Sequence, residues 1–208
     1  MEALELADYR AAVARLYLSD AGLAEFRERR DALFAKHPQS PIPPGERAGF
    51  AGLRYFPPAD DAIVEVTVRD RPGTIDIDTG GPDGVMRYER VGVLATPYGE
   101  LSLWWIAAYG GGLYLPFRDA TRGTQTYGGG RYLYDTIKGA DLGVGETEII
   151  LDFNFAYYPS CAYDDRWSCP LSPPENKLPV VVDAGERDAS SVVKSSARDT
   201  SAHPAPNV

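Results

Sequence analysis

The hydrophobic period of this chain changes once, and that change limits what it can fold into. Up to residue 36 the apolar residues recur at helical spacing. Tyr9, Val13, Leu16 and Tyr17 share one face, and Leu23, Phe26, Leu33 and Phe34 share the next. Ser19 or Asp20 is placed to cap the second helix. His37-Pro38 ends it, because the residue before a proline avoids the helical region. A proline-rich link, HPQSPIPPGE, follows, and from Arg47 the period is two. Val64, Val66 and Val68 alternate with Glu65 and Thr67, and Leu101, Leu103 and Trp105 alternate with Ser102 and Trp104. Ile149, Leu151, Phe153 and Phe155 alternate with Ile150, Asp152 and Asn154. Such runs are strands with one apolar face and one wet or specialised face. Arg71-Pro72-Gly73, Pro82-Asp83-Gly84, Pro97-Tyr98-Gly99 and two glycine triplets separate them. No strand–helix–strand rhythm is present, so a parallel sheet is not expected. The expectation is a mainly β fold, an antiparallel barrel or sandwich-like curved sheet with an N-terminal pair of helices (α+β by content).

With 208 residues the chain is long enough for one self-supporting core. Residues 1–186 read as a single globular domain, helical over 1–36 and mostly β over 47–186. Residues 187–208 turn to Ala, Ser, Asp, Thr and Pro and read as a disordered tail, because they bury too little apolar surface to offset ordering. The net charge of −9 repels a phosphate backbone, so no nucleic-acid partner is expected. The basic run Arg27, Arg29, Arg30 is interleaved with Glu25, Glu28 and Asp31 and reads as a salt-bridged, solvated helix face. The N-terminus carries Glu2, Glu5 and Asp8 where a signal peptide needs basic and apolar regions. The most apolar stretch, Leu101 to Phe117, is broken by Gly110, Gly111 and Gly112. A cytoplasmic protein with no membrane partner is therefore expected, with Cys161 and Cys169 as thiols rather than a disulfide.

Leu115 to Leu178 concentrates polar, aromatic and turn residues, including both cysteines and Tyr127, Tyr132, Tyr134, Tyr157, Tyr158 and Tyr163. Thr126-Tyr127-Gly128-Gly129-Gly130-Arg131 reads either as an anion-binding loop with an arginine fork or as a tight bend with Arg131 paired to a carboxylate. On a strand, Asp152 and Asn154 project together about 7 Å apart, as ligand-orienting groups or as a buried hydrogen-bond network. Tyrosines line small-ligand pockets and also fill sheet faces. The leading expectation is a small polar or anionic ligand bound by Asp119, Tyr127, Arg131, Asp152, Asn154 and Tyr157 in the pocket of a β-barrel. A second is a hydrolase in the same pocket, with His37 or Asp152 as general base and Cys161 as nucleophile. A third is a structural or interaction module whose tyrosines form an interface. No cofactor is expected. No metal is expected either, since Cys161 and Cys169 match no common zinc spacing and the only histidines are His37 and His203. Asp76-Ile77-Asp78-Thr79-Gly80 has Arg87 where a calcium loop needs glutamate, and reads as a hairpin.

Several of these segments also resemble a known family. PFRDATRGTQTYGGGRYL, LDFNFAYYPSCAY and CPLSPPENKLPVVVDAGE, with RRDALFAKHPQSPI and FAGLRYFP upstream, are similar to the bacterial and archaeal family called domain of unknown function 1684. The resemblance spans roughly residues 25–187, and several motifs in order make it specific. It implies no particular activity. Members often carry Asn-Pro where this chain has Tyr158-Pro159, so the resemblance implies a local difference there. Some relatives are exported or lipid-anchored.

Overall fold

The computed structural model describes residues 2–79, 84–143, 145 and 148–188. Two helices open the chain, α1 (Glu2–Tyr17) and α2 (Leu23–Lys36). In α1 only Tyr9 is fully buried, while Val13, Leu16 and Tyr17 are half-buried on the same face. α2 starts from Gly22 with no side-chain cap, so neither Ser19 nor Asp20 caps it; the Ser19 hydroxyl donates back to the Leu16 carbonyl instead, at 2.7 Å. It ends at His37, whose N–H bonds the Leu33 carbonyl, as Pro38 requires. Its inward face carries Phe26, Arg30 and Phe34. The solvated basic face is therefore corrected at Arg30. Arg29 pairs with Glu25 one turn back, but Arg30 points into the protein.

Seven strands follow: β1 (Ile63–Thr67), β2 (Gly73–Asp78), β3 (Val85–Thr96), β4 (Gly99–Ile106), β5 (Gly112–Phe117), β6 (Arg131–Asp135) and β7 (Glu148–Asp152). β2 to β6 form an antiparallel meander in sequence order, and β1 pairs antiparallel with β7 in a second sheet. Among the described residues the meander ends in two edges, β2 and β6, so the fold is sandwich-like and the closed barrel is not formed. Val66, Ile149 and Leu151 of the small sheet pack with Leu101, Leu103, Leu115, Phe117 and Leu133 of the large one. An Arg69–Val93 bridge joins the two sheets at one corner, where β3 bulges between Arg90 and Gly92. A Cβ at Gly92 would sit 2.6 Å from the Arg69 carbonyl oxygen, so the crossing needs glycine.

The opposite face of the meander is also covered, which the alternation in β4 did not anticipate. Tyr88, Trp104, Ile106, Tyr114 and Tyr132 form a second apolar cluster there. Trp104 is fully buried, whereas Trp105, at the strand's end, is exposed. The cover is the strandless segment around Pro170. Hydroxyls of Tyr114 and Tyr132 donate to the Pro170 carbonyl and that of Tyr88 to Leu171. Much of the tyrosine density is thus spent fastening a loop to a sheet.

The chain then returns along the meander. The Arg118 N–H donates to the Asn176 carbonyl and its own carbonyl accepts from Leu178, the Ala120 N–H donates to Val180, and the Glu186 N–H donates to Ala156. Arg187 and Asp188 donate backbone bonds to the Arg54 and Gln125 carbonyls. Residues 189–208, the rest of the expected tail, lie outside the described residues, as does His203. Among the described residues no helix is long and apolar enough to cross a membrane.

Candidate functional site

The residues singled out from sequence fall into three separate places. The first surrounds Arg131, which is fully buried at the start of β6. One terminal nitrogen donates to Asp119 at 3.1 Å and to the Val182 carbonyl at 2.9 Å, while the other donates to the carbonyls of Ala184 and Glu186. The guanidinium also lies 4.9 Å from the Phe117 ring. Burial pulls the Arg131 pKa down, and Asp119 opposes that pull. Asp119 in turn accepts from the Thr121 hydroxyl and from the Val182 N–H at 2.9 Å. Gly130 makes the bend possible with φ at +94°, where a Cβ would collide with the Phe117 carbonyl. Its N–H is already taken by the Tyr127 carbonyl. This is the tight-bend arrangement, a polar knot that stitches the returning chain to the sheet.

The second place is the end of β7, where the strand geometry expected for Asp152 and Asn154 is corrected. β7 stops at Asp152, and Phe153–Phe155 form a 3₁₀ turn, so the two side chains do not share a strand face. The Asp152 carboxylate caps that turn by accepting from the Asn154 N–H at 2.9 Å. The Asn154 amide grips Ala59 at both ends, accepting from its N–H at 3.0 Å and donating to its carbonyl at 2.9 Å.

The third place is a cavity of about 40 Å³ between the helices and the segment after β7. α1 supplies Tyr9, Val13, Leu16 and Tyr17; α2 supplies Arg30, Leu33 and Phe34; Lys138, Ala140, Tyr157, Tyr158 and Ser160 close it. Arg30 is the centre of its wiring. It donates to Glu186 and to the Tyr55 hydroxyl, both at 2.9 Å, and faces the Phe34 ring at 4.7 Å. Burial works against its charge, but Glu186 and Tyr55 hold its pKa well above the usual arginine range. Glu186 also accepts from the Tyr158 N–H and the Tyr163 hydroxyl, and burial pushes its carboxyl up while Arg30 pulls it down. Lys138 pairs with Asp135 at 2.9 Å. The Tyr157 hydroxyl, by contrast, is buried and makes no hydrogen bond among the described residues. Burial, and then the nearby Asp135 charge, hold its proton in place well above the ordinary tyrosine range.

Of the predicted ligand residues only Tyr157 borders this cavity, and Tyr127 packs nearby with its ring 6.0 Å from that of Tyr158. His37 sits at the end of α2, with Nε2 3.2 Å from Asp8 and Nδ1 accepting from the Gln39 N–H. No hydrogen bond joins it to Cys161 among the described residues. The Cys161 thiol is pushed up by its hydrogen bond with Cys169 and by burial. The sequence reading missed Arg30 and Glu186. The signal for Arg30 was a basic residue on the apolar face of α2, in register with Phe26 and Phe34, and Glu186 had none. Among the described residues no group of three or more His, Cys, Asp or Glu is placed to hold a metal ion.

Comparison with known proteins adds a family. The model of the family described as Protein of unknown function (DUF1684) matches residues 48–187. Among solved structures, the solution NMR structure of an uncharacterized protein from Haloarcula marismortui is 41% identical. It covers 80% of this chain and 92% of its own, with a TM-score of 0.55. No curated protein matches the chain.

Proposed function

The chain belongs to the family described as Protein of unknown function (DUF1684), and from that premise, which supplies a fold but no activity, we propose that it binds a small polar ligand in the cavity between its helices and Tyr157. The observation that carries this reading is the buried Tyr157 hydroxyl, a donor without an acceptor beside the Arg30–Glu186 pair. An unpaired buried hydroxyl costs roughly 1–3 kcal/mol, and a ligand oxygen would repay it. The ligand is a small molecule presenting a carboxylate or carbonyl oxygen to Tyr157, with its carbon skeleton against Leu16, Leu33 and Phe34. At about 40 Å³ the cavity holds a few waters, since each needs roughly 10–15 Å³. A larger guest enters by displacing α1, which has one fully buried residue and two side-chain links to the chain after α2, Glu5–Gln39 and Asp8–His37. Arg131, Asp119, Asp152 and Asn154 act in this reading as the frame, because the terminal nitrogens of Arg131, the Asp119 and Asp152 carboxylates and the Asn154 amide bond within the protein.

The test is native mass spectrometry of freshly purified protein, followed by thermal shifts with a panel of small carboxylates and ketones. The wild type is expected to gain stability with at least one member. Tyr157→Phe is expected to be as stable as wild type or slightly more so without ligand, since it removes an unsatisfied group, yet to lose most of the ligand-induced shift. A clean apo mass with no shift across the panel would sink the reading. So would a Tyr157→Phe protein that keeps the full shift.

A further inference from the structure

Cys161 and Cys169 play no part in that cavity, yet the fold brings them together. Cys161 lies in the 3₁₀ turn Ser160–Ala162, and Cys169 precedes Pro170. The Cys161 N–H points at the Cys169 sulfur at 3.3 Å, and the two thiol side chains share a hydrogen bond. Both cysteines are unpaired, and they are the only two in the chain. Their approach is enforced from both ends. On one side the Ser160 carbonyl accepts from the N–H groups of Tyr163 and Asp164, and Asp164 accepts from Trp167, folding the loop back on itself. On the other, Tyr114 and Tyr132 hold the Pro170 carbonyl. Cys161 is half-buried and within reach of solvent, whereas Cys169 is only 7% exposed.

We propose that Cys161 and Cys169 form a thiol–disulfide exchange site that accepts a low-molecular-weight disulfide and closes to an intramolecular disulfide. Cys169 starts as the thiolate; Cys161, the reachable sulfur, passes its proton to it and attacks one sulfur of the external disulfide. That S–S bond breaks, a mixed disulfide forms on Cys161, and the departing thiolate takes the proton from Cys169. The Cys169 thiolate then attacks the Cys161 sulfur, the Sγ–Sγ bond forms, and the second thiolate leaves and takes a proton from solvent. The two cysteines together give up two electrons, and the external disulfide receives them as two thiols. The Lys138 charge favours the thiolate at both sulfurs, opposed by burial at each and by its partner Asp135 at Cys169. The hydrogen bond from Cys161 and the Lys138 charge both pull the Cys169 pKa down, to about 7, against its burial. Closure would fasten the turn that carries Ser160 into the cavity wall.

The probe is oxidised glutathione, added to native, fully reduced protein and followed by intact mass and peptide mapping. The expected result is loss of both free thiols with a mass decrease of two hydrogens and a peptide linked through Cys161 and Cys169. Dithiothreitol is expected to reverse it. Cys169→Ser is expected instead to accumulate a stable glutathione adduct on Cys161, because no second thiol resolves it. A wild-type protein that keeps such an adduct would overturn the proposal, since the second sulfur then does not reach. So would a wild type whose thiols both survive. Neither of these outcomes depends on the variant folding.

Discussion

Asn176 shows how one side chain replaces a stretch of sheet. β4 and β5 pair only from Trp104 to Ile106, and beyond that their backbones splay. The fully buried Asn176 fills the gap. Its amide oxygen accepts from the Ser102 N–H at 3.0 Å and the Trp104 indole at 3.4 Å, and its NH₂ donates to the carbonyls of Ser102 at 2.9 Å and Pro116 at 2.7 Å. Every donor and acceptor of the amide is used, and every partner lies where water does not reach. Asn176→Ala should therefore lose roughly 2–4 kcal/mol in urea denaturation, the cost of stranding several buried polar groups. Asn176→Asp should be no better, since it removes both donors and buries a charge. A loss under about 1 kcal/mol for either variant would mean that β4 and β5 close the gap without the amide.

Elements differ in how firmly they are held, and the same differences decide which were readable. The β3–β4 and β4–β5 hairpins turn where Pro97-Tyr98-Gly99 and Gly110 to Gly112 marked local turns; β4 was also legible from alternation, whereas β3 and β5 were marked only by the turns beside them. The end of α2 was legible because His37-Pro38 is a local stop. The pairing of β1 with β7 was not, because nothing near Ile63 records that Asp152 will lie opposite. The turn at Phe153–Phe155 was hidden for a related reason. Its alternation continues that of β7, and the capping by Asp152 that ends the strand looks in sequence like one more polar residue. Of the candidate site, Tyr157 was visible through aromatic density, but the cavity depends on helix faces packing against it. α1 is the least secured of these faces. Its amides should exchange with deuterium well before those of β4, which is paired on both sides and buried on both faces. Equal protection of the two would remove the route by which a guest larger than the cavity enters.

At the scale of the whole molecule, one buried ion pair ties the two ends of the described chain together. Arg30 and Glu186 are 156 residues apart in sequence, and their side chains are 6% and 2% exposed. Arg30 belongs to the helical pair that precedes the family match, and Glu186 closes the returning chain at its far end. Through Tyr55, Tyr158 and Tyr163 the pair also binds the link after the helices and the segment after β7. Two buried charges gain little over an apolar pair, but each is costly alone. Glu186→Ala should thus cost roughly 3–5 kcal/mol by leaving the Arg30 charge uncompensated. Arg30→Met with Glu186→Ala should recover much of that loss, because no charge is then stranded. Chemical denaturation of the two single variants and the double variant completes the cycle. Additive losses would show that the two residues stabilise separate parts of the protein. A double variant more stable than Glu186→Ala would show that the helices and the sandwich are coupled through this pair.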